Sequence, residues 1–185
     1  DCAAAGAIQA VSLRYFNPIG ADPKMRTGLQ ILNPTHALGK MIQAWEDGTP
    51  FVITGVDWPT RDGTGIRDYI HVWDLARAHV AALADFDSLV TTADRPGYRI
   101  INLGTGTGTT VRELLDAFSR VVGSELPSHH SGPRPGDAVG AFARSKQPNA
   151  LTGWMPIHSL EDGIRDALAW RSLWVAAQQP SPDTA

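Results

Sequence analysis

Two arginines stand where a loop could carry them to an oxyanion. Arg67 follows the run Trp58-Pro-Thr-Arg-Asp-Gly-Thr-Gly-Ile66, whose glycines let a loop approach a ligand closely, and it is followed by Asp68 and Tyr69. Arg134 lies in Pro133-Arg-Pro-Gly-Asp137, a second loop that offers a guanidinium and a carboxylate together. A guanidinium so placed can fork onto two phosphate oxygens, and an aspartate beside it suits the hydroxyls of a sugar. Each segment also has a plainer account. An Arg67–Asp68 surface pair explains the first on composition alone, and turn chemistry explains the Pro, Gly and Asp of the second. Asp74, near a helix start, reads as a capping or helix-dipole residue.

Three weaker signals complete the chemistry. Gly104-Thr-Gly-Thr-Gly108 follows a strand and precedes a helix, which invites a dinucleotide reading, but Thr109 stands where the last glycine of that fingerprint belongs. No second strand ending in an acidic residue follows at the required distance, so a tight strand-to-helix turn is the favoured account. His129-His130 has no further ligands at metal-site spacing, and no metal is expected. Cys2 is the single cysteine, which excludes an intrachain disulfide and suits a reducing cytoplasm; no base or cation beside it marks it as a reactive thiol.

The elements that must position these residues alternate between strand and helix. Val11–Phe16 reads as a strand stopped by Asn17-Pro18, and Phe51–Ile53 as a short, fully buried strand. Ile66–Val72 and Arg99–Leu103 are further extended segments, and Asp57–Gly65 is a loop. The spacing predicts a helix over 36–45 with Leu38, Met41, Ile42 and Trp45 on its buried face, and another over 74–86 carrying Leu75, His79, Val80 and Leu83. Thr110 and Glu113 form a capping box ahead of a helix striped by Val111, Leu114, Leu115, Phe118 and Val122. Ser159 and Asp162 repeat that signature more weakly before Leu160, Ile164 and Leu168. Asp1–Gly6 reads like the last turn of a helix closed by its glycine, as if the chain continued a longer one.

Short strands alternating with helices indicate an α/β architecture, with a sheet too small for a complete doubly wound domain. The 185 residues carry a net charge of −3 without like-charge blocks and are 43% hydrophobic, so neither nucleic-acid binding nor disorder is indicated. No apolar run reaches the ~20 residues that a bilayer span needs, so no membrane partner is expected.

Three segments in order, Leu13-Arg-Tyr-Phe-Asn-Pro-Ile-Gly20, Asp57-Trp-Pro-Thr-Arg-Asp-Gly-Thr-Gly-Ile-Arg-Asp-Tyr-Ile-His-Val72, and Asn102-Leu-Gly104 with Pro133-Arg-Pro-Gly-Asp137, together resemble the UDP-glucose 4-epimerases. These are extended members of the short-chain dehydrogenase/reductase group. The middle block is the most particular to them. The resemblance runs over nearly the whole chain and corresponds to the C-terminal half of the family. It departs from the family pattern at Leu32–His36, and at Ala141, where the family has a tyrosine and this chain has Phe142 alongside.

The resemblance implies an α/β fold consisting of the C-terminal remainder of an NAD-binding Rossmann-type domain plus the small α/β substrate-binding domain. Residues 1–30 would end the dinucleotide-binding domain. Residues 31–177 would form the UDP-sugar region, with 99–122 returning to the Rossmann sheet, and 178–185 would be a flexible tail. It implies that Tyr15 approaches the nicotinamide, and that Asn17, Arg67, Tyr69 and Arg134 serve the diphosphate side of the substrate. Val52 and Thr54 belong to a strand whose backbone meets the uracil, and Asp137 faces the ribose or sugar.

The implied activity is interconversion of UDP-glucose and UDP-galactose by NAD-dependent inversion at C4 through a 4-keto intermediate. The family's dinucleotide loop, catalytic serine or threonine and Tyr-x-x-x-Lys pair belong to its other half, and no tyrosine here has lysine four residues on. No catalytic residue, no retained NAD and no turnover are therefore expected of these residues alone. A stand-alone or degenerate UDP-sugar-binding module, or half of another NAD-dependent sugar-nucleotide epimerase or dehydratase, are the alternatives. A cytoplasmic location is expected; the resemblance implies a homodimer built mainly by the family's other half, so this chain is expected to self-associate instead through surfaces that the other half would cover.

Overall fold

In the computed structural model, which describes residues 2–91, 97–143 and 153–178, strands and helices alternate along the chain. They are β1 (Ala10–Tyr15), β2 (Asn17–Ile19), α1 (Ala37–Glu46), β3 (Phe51–Thr54), β4 (Ile66–Arg67), β5 (Tyr69–His71), α2 (Val72–Ala84), α3 (Phe86–Thr91), β6 (Tyr98–Leu103), β7 (Thr109–Thr110), α4 (Val111–Val122), β8 (Ser128–Ser131), β9 (Gly140–Ala141) and α5 (Leu160–Gln178). Asp1 and the tail beyond Gln178 lie outside the described residues.

The long-range pairings are mostly parallel. β1 runs beside β6 from Ala10 opposite Tyr98 to Tyr15 opposite Leu103. β2 pairs with β5, placing Asn17 opposite Tyr69, and β3 pairs with β8. β4 lies between β7, antiparallel, and β9, parallel. Parallel strands need a crossover, and helices supply it here. Two apolar clusters fill the interior. Leu38, Met41, Ile53, Leu114, Phe118 and Ile164 join α1, β3, α4 and α5. Ile70, Leu75, Ala78, Leu89, Ile101 and Leu103 join α2 and α3 to β5 and β6.

Helix boundaries follow local chemistry. Thr110 Oγ1 accepts from Glu113 N–H at 3.1 Å, and the Glu113 carboxylate accepts from Thr110 N–H at 2.9 Å, a complete capping box. The Ser159 and Asp162 pair is equally reciprocal, at 2.8 and 3.1 Å, and so stronger than its sequence suggests. Ala7 N–H donates to Cys2 O and Gly6 N–H to Ala3 O, the two bonds that close a helix C-terminus.

Several expectations need correction. The Asn17-Pro18 stop is instead strand β2; Asn17 N–H donates to Asp68 O at 3.0 Å. The 66–72 segment is two short strands interrupted at Asp68, and Val72 already opens α2. The run at Phe51 is not wholly buried, because strand alternation turns Val52 outward, where it is 40% exposed. On α2 the buried positions are Asp74, Leu75, Ala78 and Ala82, whereas Val80 and Leu83 are 69% and 76% exposed. Small alanines let that face approach the β-strands, and the larger residues point away. Trp45 lies at the edge of the core, its ring 6.4 Å from and edge-on to Phe118.

Polar side chains lock α5 to α2. Asp74 is fully buried, and its carboxylate accepts from Ile157 N–H and His158 N–H, both at 3.0 Å, and lies 3.0 Å from His158 Nδ1. Arg77 Nη1 donates to Asp74 Oδ1, the oxygen beside His158 Nδ1, at 3.0 Å. Asp74 is therefore a tertiary anchor rather than a simple cap. His71 caps α2 by accepting from Trp73 N–H through Nδ1, stacks on His158 at 4.2 Å and sets Nε2 3.2 Å from Asp166 Oδ2.

Candidate functional site

The approach of β9 to β4 sets the first wall. Gly140 has φ of +126°, and a Cβ there would overlap Ile66 O and the Arg67 guanidinium, so only glycine fits. Arg67 uses this proximity. Its Nη1 donates to Ile66 O at 2.7 Å and Val139 O at 3.0 Å, and Nη2 donates to Ala138 O at 3.3 Å. The expected surface pair with Asp68 does not form. Asp68 points the other way and is fully buried.

The sequence-distant residues converge. A cleft of about 830 Å³ is lined by Asn17 on β2, Val52 and Thr54 on β3, Arg67 on β4, Tyr69 on β5, and Arg134 and Asp137 on the loop before β9. All seven residues expected to meet a substrate share it. Tyr15 does not: it ends β1, half exposed, its ring 6.1 Å from that of His79. Thr35, His36, Lys40 and Trp58 also line the cleft and were missed. The signal for His36 lay in its place just before a periodic run, since its Nδ1 accepts from Gly39 N–H and so caps α1. Phe142 lies over Gly108 and is not among the lining residues. A smaller, apolar cavity of about 410 Å³, bounded by Ile31, Trp73 and Trp170 among others, adjoins the cleft through Ile19, Leu29 and His36.

The cleft combines cations with a phenol held neutral. Burial pushes the Tyr69 hydroxyl up to about 12. Arg134 donates from N–H and Nε to Asp137 Oδ2, at 3.1 and 3.2 Å, and holds that carboxyl below the ordinary carboxylate range. Arg134 is 66% exposed at its side chain, so the guanidinium can swing onto an arriving anion. Arg61 pins the preceding loop by donating to Glu113 and, at 2.6 Å, to Gly108 O. The described residues hold no group of three metal-ligating side chains, and His129 and His130 are successive exposed residues of β8.

The glycine-rich turn does not fit a dinucleotide pyrophosphate. The N–H groups of Thr105 and Gly106, which would have to cradle it, donate to Asp68 at 2.9 and 3.1 Å.

The sequence profile of the NAD dependent epimerase/dehydratase family matches residues 1–104. A UDP-glucose 4-epimerase of Azospirillum brasilense is 42% identical over 176 residues, covering 94% of this chain and 49% of that protein. UDP-glucose 4-epimerase 2 of Arabidopsis thaliana is 38% identical over 164 residues, 88% of this chain and 45% of the relative. The chain thus spans about half the length of the curated relatives it matches. The crystal structure of the Stenotrophomonas maltophila UDP-glucose-4-epimerase, with bound NAD and formylated UDP-arabinopyranose, superposes with a TM-score of 0.84 at 36% identity, covering 96% of this chain and 52% of that one. The Bifidobacterium longum enzyme in complex with NAD+ and UDP gives a TM-score of 0.75 at 33% identity, over 88% and 47% of the two chains. Matched over more than half its length by that profile, the chain belongs to the NAD dependent epimerase/dehydratase family.

Proposed function

We propose that the 830 Å³ cleft holds the UDP moiety of a UDP-hexose, and that this chain is the sugar-nucleotide-binding part of a UDP-glucose 4-epimerase. The observation that carries the reading is the convergence of Arg67 and Arg134, 67 positions apart by their numbers, on one cleft with Asn17 and Tyr69. Arg134 and Tyr69 supply donors for the diphosphate, Asn17 an amide for the diphosphate-sugar portion, and Asp137 an acceptor for ribose or sugar hydroxyls. Val52 and Thr54 belong to a strand whose backbone can pair with a base edge. Residues 1–30 and 99–122 are assigned to the nucleotide-cofactor sheet and the rest of 31–177 to the substrate region.

Gripping the nucleotide while leaving the hexose free provides binding energy remote from the reacting carbon. The hydride chemistry at C4 belongs to NAD. Tyr15 is assigned to the nicotinamide side, but the glycine-rich turn of this chain does not accept the cofactor's pyrophosphate. These 185 residues by themselves are accordingly assigned binding without turnover.

Isothermal titration of the chain with UDP tests the reading. Saturable binding is expected, with Arg134→Ala weakening it about 10- to 100-fold, the effect of removing charge-assisted hydrogen bonds to phosphate. An absence of binding by the folded chain overturns the assignment.

A further inference from the structure

We infer that Asp68 is a positioning residue for the cleft, its carboxylate fixing where the Arg134 loop stands relative to Arg67. The inference rests on reading the cleft as a UDP site.

Asp68 sits at the break between β4 and β5, flanked by two cleft-lining residues, Arg67 and Tyr69, yet its own side chain is fully buried and is not part of the cleft lining. A carboxylate in that position is costly unless donors surround it. It accepts from Thr105 N–H at 2.9 Å, Thr105 Oγ1 at 2.7 Å, Gly106 N–H at 3.1 Å and Ala143 N–H at 3.1 Å. Three of these donors are backbone groups, so the carboxylate holds chain segments in place.

The segments matter for the cleft. Ala143 lies two residues beyond β9, at the far end of the stretch that starts at the Arg134 loop. Arg67 grips the same stretch from the other side, through Ala138 O and Val139 O. Two successive side chains, Arg67 at the end of β4 and Asp68 at the break before β5, therefore clamp both ends of 138–143. The pairing of β4 with β9 uses backbone alone and would not require an aspartate at 68. Gly104 supports the same conclusion. A Cβ there would come within 2.5 Å of Asp68 Oδ2 and 2.9 Å of Ala143 Cβ, so glycine at 104 is what lets the carboxylate reach Ala143.

A double-mutant cycle on the 185-residue chain, read by calorimetric titration with UDP, tests this. In Asp68→Asn the amide can keep the Thr105 bonds but turns N–H toward the Gly106 and Ala143 donors. It should weaken UDP binding about tenfold, and the double variant with Arg134→Ala should bind within about twofold of Arg134→Ala alone, because both changes act through one loop. Wild-type affinity in Asp68→Asn, or losses that multiply in the double variant, would overturn the positioning role and leave the cleft reading intact. If wild type itself takes up no UDP, the cleft reading fails first, and the inference with it. Amide exchange on the unmodified chain decides the matter even where Asp68→Asn does not fold. The Ala143 amide should exchange much more slowly than that of exposed Gly136, and equal rates would count against the clasp.

Discussion

The imidazole of His71 is fully buried, with His158 stacked on it, Asp74 of α2 nearby, and Asp166 of α5 at Nε2. Burial, and then the His158 charge, hold its proton affinity below the ordinary histidine value. His36 is lowered by burial as well. For both, the unfolded chain takes up a proton before the folded one, so their contribution to stability is complete above about pH 6.5 and is lost as pH falls below it. The melting temperature should therefore rise between about pH 5 and 7. His71→Asn, which keeps an acceptor for the Trp73 amide, should flatten part of that slope; an unchanged profile by circular dichroism would refute the assignment. At this scale the cleft residues were legible because a resemblance marked them. Asp68 was misread, and Asp74, which does stand in the first turn of α2, was read only in part, because side-chain burial is not a property of neighbouring residue types. Both satisfy donors on segments 37 or more positions away, which a reading of neighbours alone does not reveal.

Element by element, the strongest signals in the sequence were the capped helices. The apolar stripe and capping box of α4 both appear in the fold, and Thr110 also donates to Asp62 in the adjoining loop. Thr110→Ala should cost about 1–2 kcal/mol in urea unfolding, the upper part of the range for a lost N-cap. Arg61→Ala, which removes a half-exposed ion pair with Glu113 and a bond to Gly108 O, should cost at most about 1 kcal/mol. The reverse ranking would show that the exposed pair, and not the cap, holds the loop. The face of α2 was misread because alanine hardly registers in a hydrophobic stripe, although Ala78 and Ala82 are the residues that bring the helix close. The short strands β2, β7 and β9 carried no periodicity to read; two or three residues are too few to alternate.

For the molecule as a whole, the α/β class was legible, and the resemblance put 1–30 and 99–122 in one sheet, but the pairing of β3 with β8 was not legible, since nothing local to either strand specifies a partner so distant in sequence. Parallel sheets are normally covered on both faces and continued at their edges. Among the described residues β1 and β6 form a two-stranded pair, Ile8 and Ile100 are partly open to solvent, and α2 presents Val80 and Leu83 outward. Concentration-dependent self-association is expected in size-exclusion chromatography coupled to light scattering; a monomer at all concentrations would contradict it.

The cleft carries its own optical probe. Of the six tryptophans in the chain only Trp58 is among its lining residues, with the indole seated against Gly55 beside the Val52–Thr54 strand. A pyrimidine arriving there has an aromatic plane on which to stack. Ligand arrival should quench the emission of this one indole, and Trp58→Phe should erase the optical change without erasing the calorimetric one.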